Sequence, residues 1–345
     1  MKILAAAIRV SVLCGAMNVE MASQIVAPPT DTVAEMGRNA TVFHTKVVPQ
    51  KHAIGTSGEL PRLQRPNAFH SVFHTGIDSI GITQTDSVDN TINPLIITGI
   101  AAGTVAVVGI SHGLLNSLWW KGQAVPFHMN WNQDWKYAIG ADKVGHFVFS
   151  SMATTVYDKL YGLSGLDSSS SVLWAAATVL TYQTYIEVRD GFSRDYGFSF
   201  ADGIANVLGA GFPVAQRFIP ELRPFQFQIS YWPSDDFRKG AYGAIIDDYT
   251  STTHWLAVNV SDVLPRAWGH DFPQWLGIAV GHSVDNLDGR GGGRHVWYLS
   301  LDWQPARIKG LPDWLRDVLD ILHVYHLPAP AVRIAPDVRW FGLRF

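Results

Sequence analysis

Asp142, His146 and Ser150 stand four residues apart in ADKVGHFVFSS, a stretch otherwise built of apolar and small residues apart from Lys143. On a helix the three would share one face. Gln183, Glu187 and Asp190 repeat the pattern at spacings of four and three, and Asp202 and Asn206 at a spacing of four. Three helices would then each carry a polar stripe on an apolar body. Such stripes must face one another or water, because a polar group left alone in hydrocarbon is costly. The economical arrangement gathers His146, Glu187, Asp190, Arg194, Asp202 and Asn206 into one cluster at one end of a bundle, with Asp142 and Lys143 at its rim.

Those residue types admit several chemistries. His146 could act as a general acid or base, its pKa being nearest neutrality. Arg194 could clamp a phosphate or carboxylate. A histidine among two or three carboxylates could also hold a divalent metal, although no residue is assigned to a metal and no cofactor is named by the sequence. Equally, polar groups inside a bundle can simply satisfy one another and fix its register. The first six residues are the catalytic candidates; His128, Asp142 and Lys143 are the ligand-binding ones. Lys143 taken alone reads as a solvated helix start. Residues 119–143, WWKGQAVPFHMNWNQDWKYAIGADK, crowd aromatic and polar side chains into a short connector. It could close over the cluster as a lid or form an aromatic belt at a membrane surface.

The elements that would position these groups are legible. No Asp, Glu, Lys or Arg occurs from Thr91 to Trp120, and that stretch is long enough to span a bilayer. Three further helices are expected at about 142–162, 169–189 and 199–217, with the serines of SGLDSSSS available as caps. Gly209, near the Asp202–Asn206 face, permits close helix packing. His112 reads as a satisfied interior histidine. After Pro224 the period changes to two. FQFQISYW, QWLGIAVGHSV and HVWYLSLDW alternate, DNLDGRGGG reads as a hairpin loop, and residues 311–326 as a short amphipathic helix. AVRIAPDVRWFGLRF reads as a closing strand pair. About six strands are too few for a closed membrane barrel, which needs at least eight.

The expected fold is α+β: a membrane-associated four-helix bundle (91–220) followed by a small antiparallel β-rich region (221–345). A signal segment (1–22) and a mostly irregular leader (23–90) precede it. Cys14 follows Leu13 where lipidation needs a small residue, so lipidation at Cys14 is not expected. The composition is 47% hydrophobic and only 16% charged, with 13 Trp and 17 Phe, which suits an envelope protein more than a cytosolic enzyme. The net charge of −3 and the lack of any basic block argue against nucleic acid. A single cysteine excludes an internal disulfide framework.

FHMNWNQDWKYAIGADKVGHFVFSS, the E-x-x-D-G stretch at Glu187–Gly191 and GFSFADGIANVLGA at 197–210 resemble the YfiM-type family, a domain of unknown function described as a predicted periplasmic lipoprotein. Glu187, Arg194, Asp202, Asn206 and Gly209 also resemble the VanZ-like pattern. These likenesses cover about residues 94–220 and imply an envelope location, periplasm-facing, in the inner or outer membrane, without implying a reaction. Gly145-His146 and Ser193-Arg194…Asp202 echo the layout of membrane lipid phosphatases. No histidine lies between Arg194 and Asp202, so their nucleophile is missing from its place. The expected function is a binding or accessory role around the cluster, near lipid or a cell-wall precursor. The rivals are a hydrolase or transferase acting on a phospholipid or cell-wall lipid, and a structural partner of an outer-membrane complex that docks through the C-terminal strands.

Overall fold

The computed structural model describes residues 91–131, 134–240, 245–265, 268 and 272–345. The signal segment and leader expected at 1–22 and 23–90 lie outside the described residues. Helices come first and a six-stranded antiparallel sheet follows, an α+β arrangement.

Pro94–Leu118 forms α1. The Asn93 side chain accepts from the N–H groups of Leu95 and Ile96, and Pro94 occupies a position where no N–H is needed. The helix is long and apolar enough to cross a membrane. Leu95, Val105, Val107, Ile110 and Leu114 are exposed along it. The next three helices are α2 (Ala141–Leu163), α3 (Ser168–Gly191) and α4 (Phe200–Phe218). Asp167, not one of the serines after it, caps α3, accepting from the N–H groups of Ser169 and Ser170 at 3.0 Å each.

These three helices pack tightly. Ala176, Val179 and Ala210 form a buried seam flanked by Tyr157 and Val214. At Gly209 the helices meet so closely that a Cβ there would lie 2.1 Å from the carbonyl oxygen of Phe147. Helix α1 runs beside the trio, not within it. It touches through Thr104 to Tyr157 at 2.9 Å, through His112 to Tyr185, and through Leu115 to Ile186. The four-helix bundle expected from the sequence is therefore seen as three packed helices with a fourth alongside. The surface of α1 is small and apolar nearly all round, so few polar contacts draw it into the seam.

The strands are β1 (Phe225–Tyr231), β2 (Thr252–Val258), β3 (Leu276–Asp285), β4 (Arg294–Trp303), β5 (Ala329–Ala335) and β6 (Arg339–Arg344). Each pairs antiparallel with the next, in chain order. The period-two reading did not single out β2. A further helix, α5 (Asp313–Leu322), lies between β4 and β5. Phe227, Leu256, Val280, Leu299, Val332 and Trp340 face one another in register as one row across all six strands. Helices α2 and α4 cover its β1 end: the Phe147 and Phe212 rings lie 4.7 and 4.9 Å from that of Phe227. Val280, Leu299 and Trp340 are exposed.

The opposite face is buried and mixed: Trp255, Ala257, Ala279, Val296 and Tyr298 form an apolar cluster there, beside polar groups. Gln228, Ser230, Ser300 and Asp302 sit there with His323 and His326, and Trp255 stacks on His326 at 4.0 Å. The Asp302 carboxylate lies 3.1 Å from His323 Nε2 and 3.4 Å from His326 Nδ1. Arg344 donates to Thr253 Oγ1 at 3.3 Å, and the Phe345 ring lies 4.7 Å from Trp232. The sheet thus curls this mixed face inward. No pairing joins β6 to β1 among the described residues, so the sheet stays open, as the strand count requires.

Two measurements check this packing. Gly209→Ala forces a Cβ into the Phe147 backbone and should lower unfolding stability by about 3 kcal/mol in denaturant titration. Burial pushes the Asp302 carboxyl up, but the hydrogen bonds and charge of His323 and His326 outweigh it and hold the group at about 2. A depressed folded pKa contributes stability that is complete above the ordinary value near 4 and is lost as pH falls toward 2. Asp302→Asn should therefore cost about 2 kcal/mol at neutral pH and flatten the loss of stability between pH ~4 and ~2.

Candidate functional site

The chain enters α2 through a tight bend. Ala138 and Ile139 take φ of 44° and 49°, and Gly140 takes 82°. Left-handed backbone costs a β-branched residue about 1–2 kcal/mol, so the bend is held by what surrounds it. It delivers Asp134 from one side and Asp142 from the other to the same cation. Lys143 Nζ lies 2.6 Å from Asp134 Oδ1, 3.0 Å from Asp142 Oδ2 and 3.1 Å from Asp202 Oδ2. Burial pushes the ammonium down, but the charges of Asp142 and Asp202 and these hydrogen bonds hold it charged, above its ordinary value. Lys143 is thus not a solvated helix start. It is buried at the centre, because only there can one cation meet carboxylates from the connector, α2 and α4.

His146 lies one turn further along α2. Its Nε2 is 3.7 Å from Asp142 Oδ1, and its Nδ1 is 3.2 Å from Asn206 Oδ1 and 3.7 Å from Glu187 Oε1. Asn206 Oδ1 also accepts from Ser150 Oγ at 3.0 Å and Gln183 Nε2 at 2.7 Å. One amide oxygen therefore ties α2, α3 and α4 together. Because it only accepts, the Nδ1 of His146 presents a proton to it. Burial pushes the imidazole down, and the charges of Asp142, Asp202 and Glu187 more than reverse this.

The acids are differently placed. Glu187 Oε2 accepts from the Ser199 N–H at 3.2 Å, while its buried Oε1 has no hydrogen-bond partner. Burial pushes this carboxyl up to about 8, against the opposing pull of His146. Asp202 is raised by burial and by the Asp142 charge, and its Oδ1 is likewise unpartnered. Burial raises the Asp142 carboxyl, but His146 and Lys143 overcome this and bring it below the ordinary value. Asp190 accepts from Trp120 Nε1 at 2.6 Å and is pushed by burial up to about 6.

Of the nine residues expected at the site, Asp142, Lys143, His146, Glu187, Asp202 and Asn206 converge. Asp190 stands at the edge, held by Trp120. Arg194 does not join them: it is exposed in the α3–α4 turn and makes no ion pair with the cluster. Its place as counter-cation is taken by Lys143, which sits on a helix facing inward. His128 also stays outside, its Nε2 3.3 Å from the Tyr196 carbonyl oxygen. The connector pairs with the α3–α4 turn, through His128 N–H to Gly191 and Asn130 N–H to Phe198, both at 2.9 Å.

Four participants escaped the sequence reading. Asp134 bonds Lys143 and accepts from Ser199 Oγ at 2.7 Å. Ser199 also caps α4 by accepting from the Asp202 N–H. Trp120 binds Asp190, and Tyr249 donates to Asp142 Oδ1 at 2.7 Å from beyond β1. Asp134 lies in the aromatic connector and could have been suspected there. Nothing in the sequence around Tyr249 points to α2.

Residues 129–217 match the model of a family described as "Predicted periplasmic lipoprotein (DUF2279)". The match spans α2, α3 and α4 and includes Asp134 and the six convergent residues. The description is consistent with a periplasm-facing, membrane-associated envelope protein. The YfiM-type and VanZ-like likenesses rest on motifs alone. No curated protein and no solved structure matches the chain.

Lys143→Met leaves Asp134, Asp142 and Asp202 buried without their cation. It should lower stability by about 3–5 kcal/mol in thermal or chemical denaturation.

Proposed function

We propose that this is a periplasm-facing envelope protein that is held at a membrane by α1 and binds a small polar ligand at the cluster between α2, α3 and α4. The observation that carries the reading is the pair of buried carboxylate oxygens, Glu187 Oε1 and Asp202 Oδ1, without hydrogen-bond partners beside a partly exposed His146. A cluster serving only as a clasp would satisfy its own acceptors, since a buried unpaired one costs about 1–3 kcal/mol. Binding sites keep such unfavourable groups and lose stability to do so. The exposed apolar side chains of α4, Phe200, Ile204, Val207 and Leu208, support membrane association together with α1.

Stability measurements separate site from clasp. Glu187→Gln should hold or raise the melting temperature at neutral pH, because it replaces a buried carboxyl held largely protonated by an uncharged amide of the same size. His146→Ala should change stability little. A loss of about 2 kcal/mol or more in both variants would identify a clasp. For α1, the full chain should stay in the membrane pellet after an alkaline carbonate wash; release into the supernatant overturns the anchoring.

A second reading concerns the sheet. Its exposed row of Val280, Leu299 and Trp340, widened by Ile278 and Trp297, is an apolar face left open to the outside. That pattern suits contact with an outer-membrane complex or its lipid. Val280→Arg with Leu299→Arg should preserve the melting transition while lowering recovery in the outer-membrane fraction. Unchanged recovery would remove this reading.

A further inference from the structure

We propose that the cluster binds one divalent transition cation of the Zn²⁺ or Mn²⁺ kind, with Asp142, His146 and Asp202 as its protein ligands and Glu187 as the residue that orients the histidine. This deepens the ligand-site reading above and rests on it.

The three ligands each offer one atom, all within 4.8 Å of one another. The His146 Nε2 to Asp142 Oδ1 distance is 3.7 Å, close to the ~3–4 Å between ligands that share an ion at ~2.0–2.2 Å. One imidazole with carboxylate oxygens is a donor set for Zn²⁺ or Mn²⁺ and a poor one for soft cations.

Three further observations point to an ion. First, Asp202 keeps Oδ1 unpartnered although the residue is 5% exposed. Second, the surrounding shell is already arranged. Asn206 Oδ1 and Glu187 Oε1 both lie on the Nδ1 side of His146, at 3.2 and 3.7 Å. Asn206 Oδ1 accepts the Nδ1–H, with the Glu187 carboxyl behind it on the same side, which leaves the Nε2 lone pair directed toward Asp142. A metal-binding histidine is commonly held in this way by a carboxylate or amide oxygen. Lys143 bonds the Oδ2 atoms of Asp142 and Asp202 and so orients both carboxylates, in Asp142 through the oxygen that does not face the histidine. Third, Asp134, Asp142 and Asp202 share a single lysine, Lys143, so a divalent ion would relieve their repulsion. The His146 side chain remains 21% exposed, which gives an ion a way in. Three protein ligands leave a coordination position open, as in sites that bind a second ligand through the metal.

The test uses the full chain in detergent, stripped with chelator and titrated at neutral pH with Zn²⁺ alone and with Mn²⁺ alone. Calorimetry should report one equivalent of at least one of them, and melting curves should shift upward on its addition. Affinity should fall at least ~10-fold in His146→Ala and in Asp202→Asn, and ~10–100-fold in Glu187→Gln with the stoichiometry kept at one. Asp202→Asn also loses a Lys143 contact, so if it fails to fold, His146→Ala decides. No binding by the wild-type chain, or binding that His146→Ala leaves unchanged, overturns the proposal. If the wild-type chain binds neither ion while Glu187→Gln still holds or raises the stability of the stripped protein, only the cation is lost and the ligand site stands. If Glu187→Gln and His146→Ala both destabilise the stripped protein and no ion binds, both readings fall.

Discussion

The helical half of this protein is organised around one buried ammonium. Lys143 meets carboxylates from the connector, from its own helix and from α4, all within 3.1 Å. Withdrawing such a charge from water is costly, and the cost is offset only if its partners are fixed and close. That requirement constrains the chain around it. The left-handed bend at Ala138–Gly140 sets where the connector delivers Asp134, and the Ser199 cap holds Asp134 and the start of α4 together. The bare backbone at Gly209 lets α4 approach α2 closely enough for Asp202 and Asn206 to reach across.

A second hub sits one turn deeper. Asn206 Oδ1 takes donors from α2 and α3, which fixes the rotation of all three helices about their axes. Satisfaction is uneven around both hubs. The oxygens that face Lys143 are engaged, whereas Asp202 Oδ1 and Glu187 Oε1 are not. Engaged and unengaged oxygens within one cluster separate what holds the bundle from what is available to a ligand.

The sheet follows the opposite logic. The face that carries the Asp302–His323–His326 group beside the Trp255–Tyr298 cluster is enclosed, and much of the other, apolar face is open. In water this is an unfavourable way to distribute side chains. The same chain carries α1, with exposed apolar residues along its length. The two halves thus share one feature: apolar surface turned outward while a charged or polar group is enclosed.

Local pattern alone determined much of this. The uncharged stretch before Trp120, the stripes on α2, α3 and α4, and the alternation of β1, β3, β4 and the closing strand pair are visible because helical and extended backbones impose periods of 3.6 and two on whatever they bury. The spacing of Asp142, His146, Glu187, Asp202 and Asn206 was enough to place them together, since polar stripes on apolar helices have few stable alternatives. Tertiary structure decided the rest. Which cation would balance the acids depended on direction: Lys143 points into the bundle, while Arg194 sits in an exposed turn, and residue type does not distinguish them. Asp134, Trp120 and Tyr249 arrive from irregular segments with no period to read. The position of α1 beside the other helices, touching them through a few contacts such as Thr104 to Tyr157 and His112 to Tyr185, is not readable from its composition.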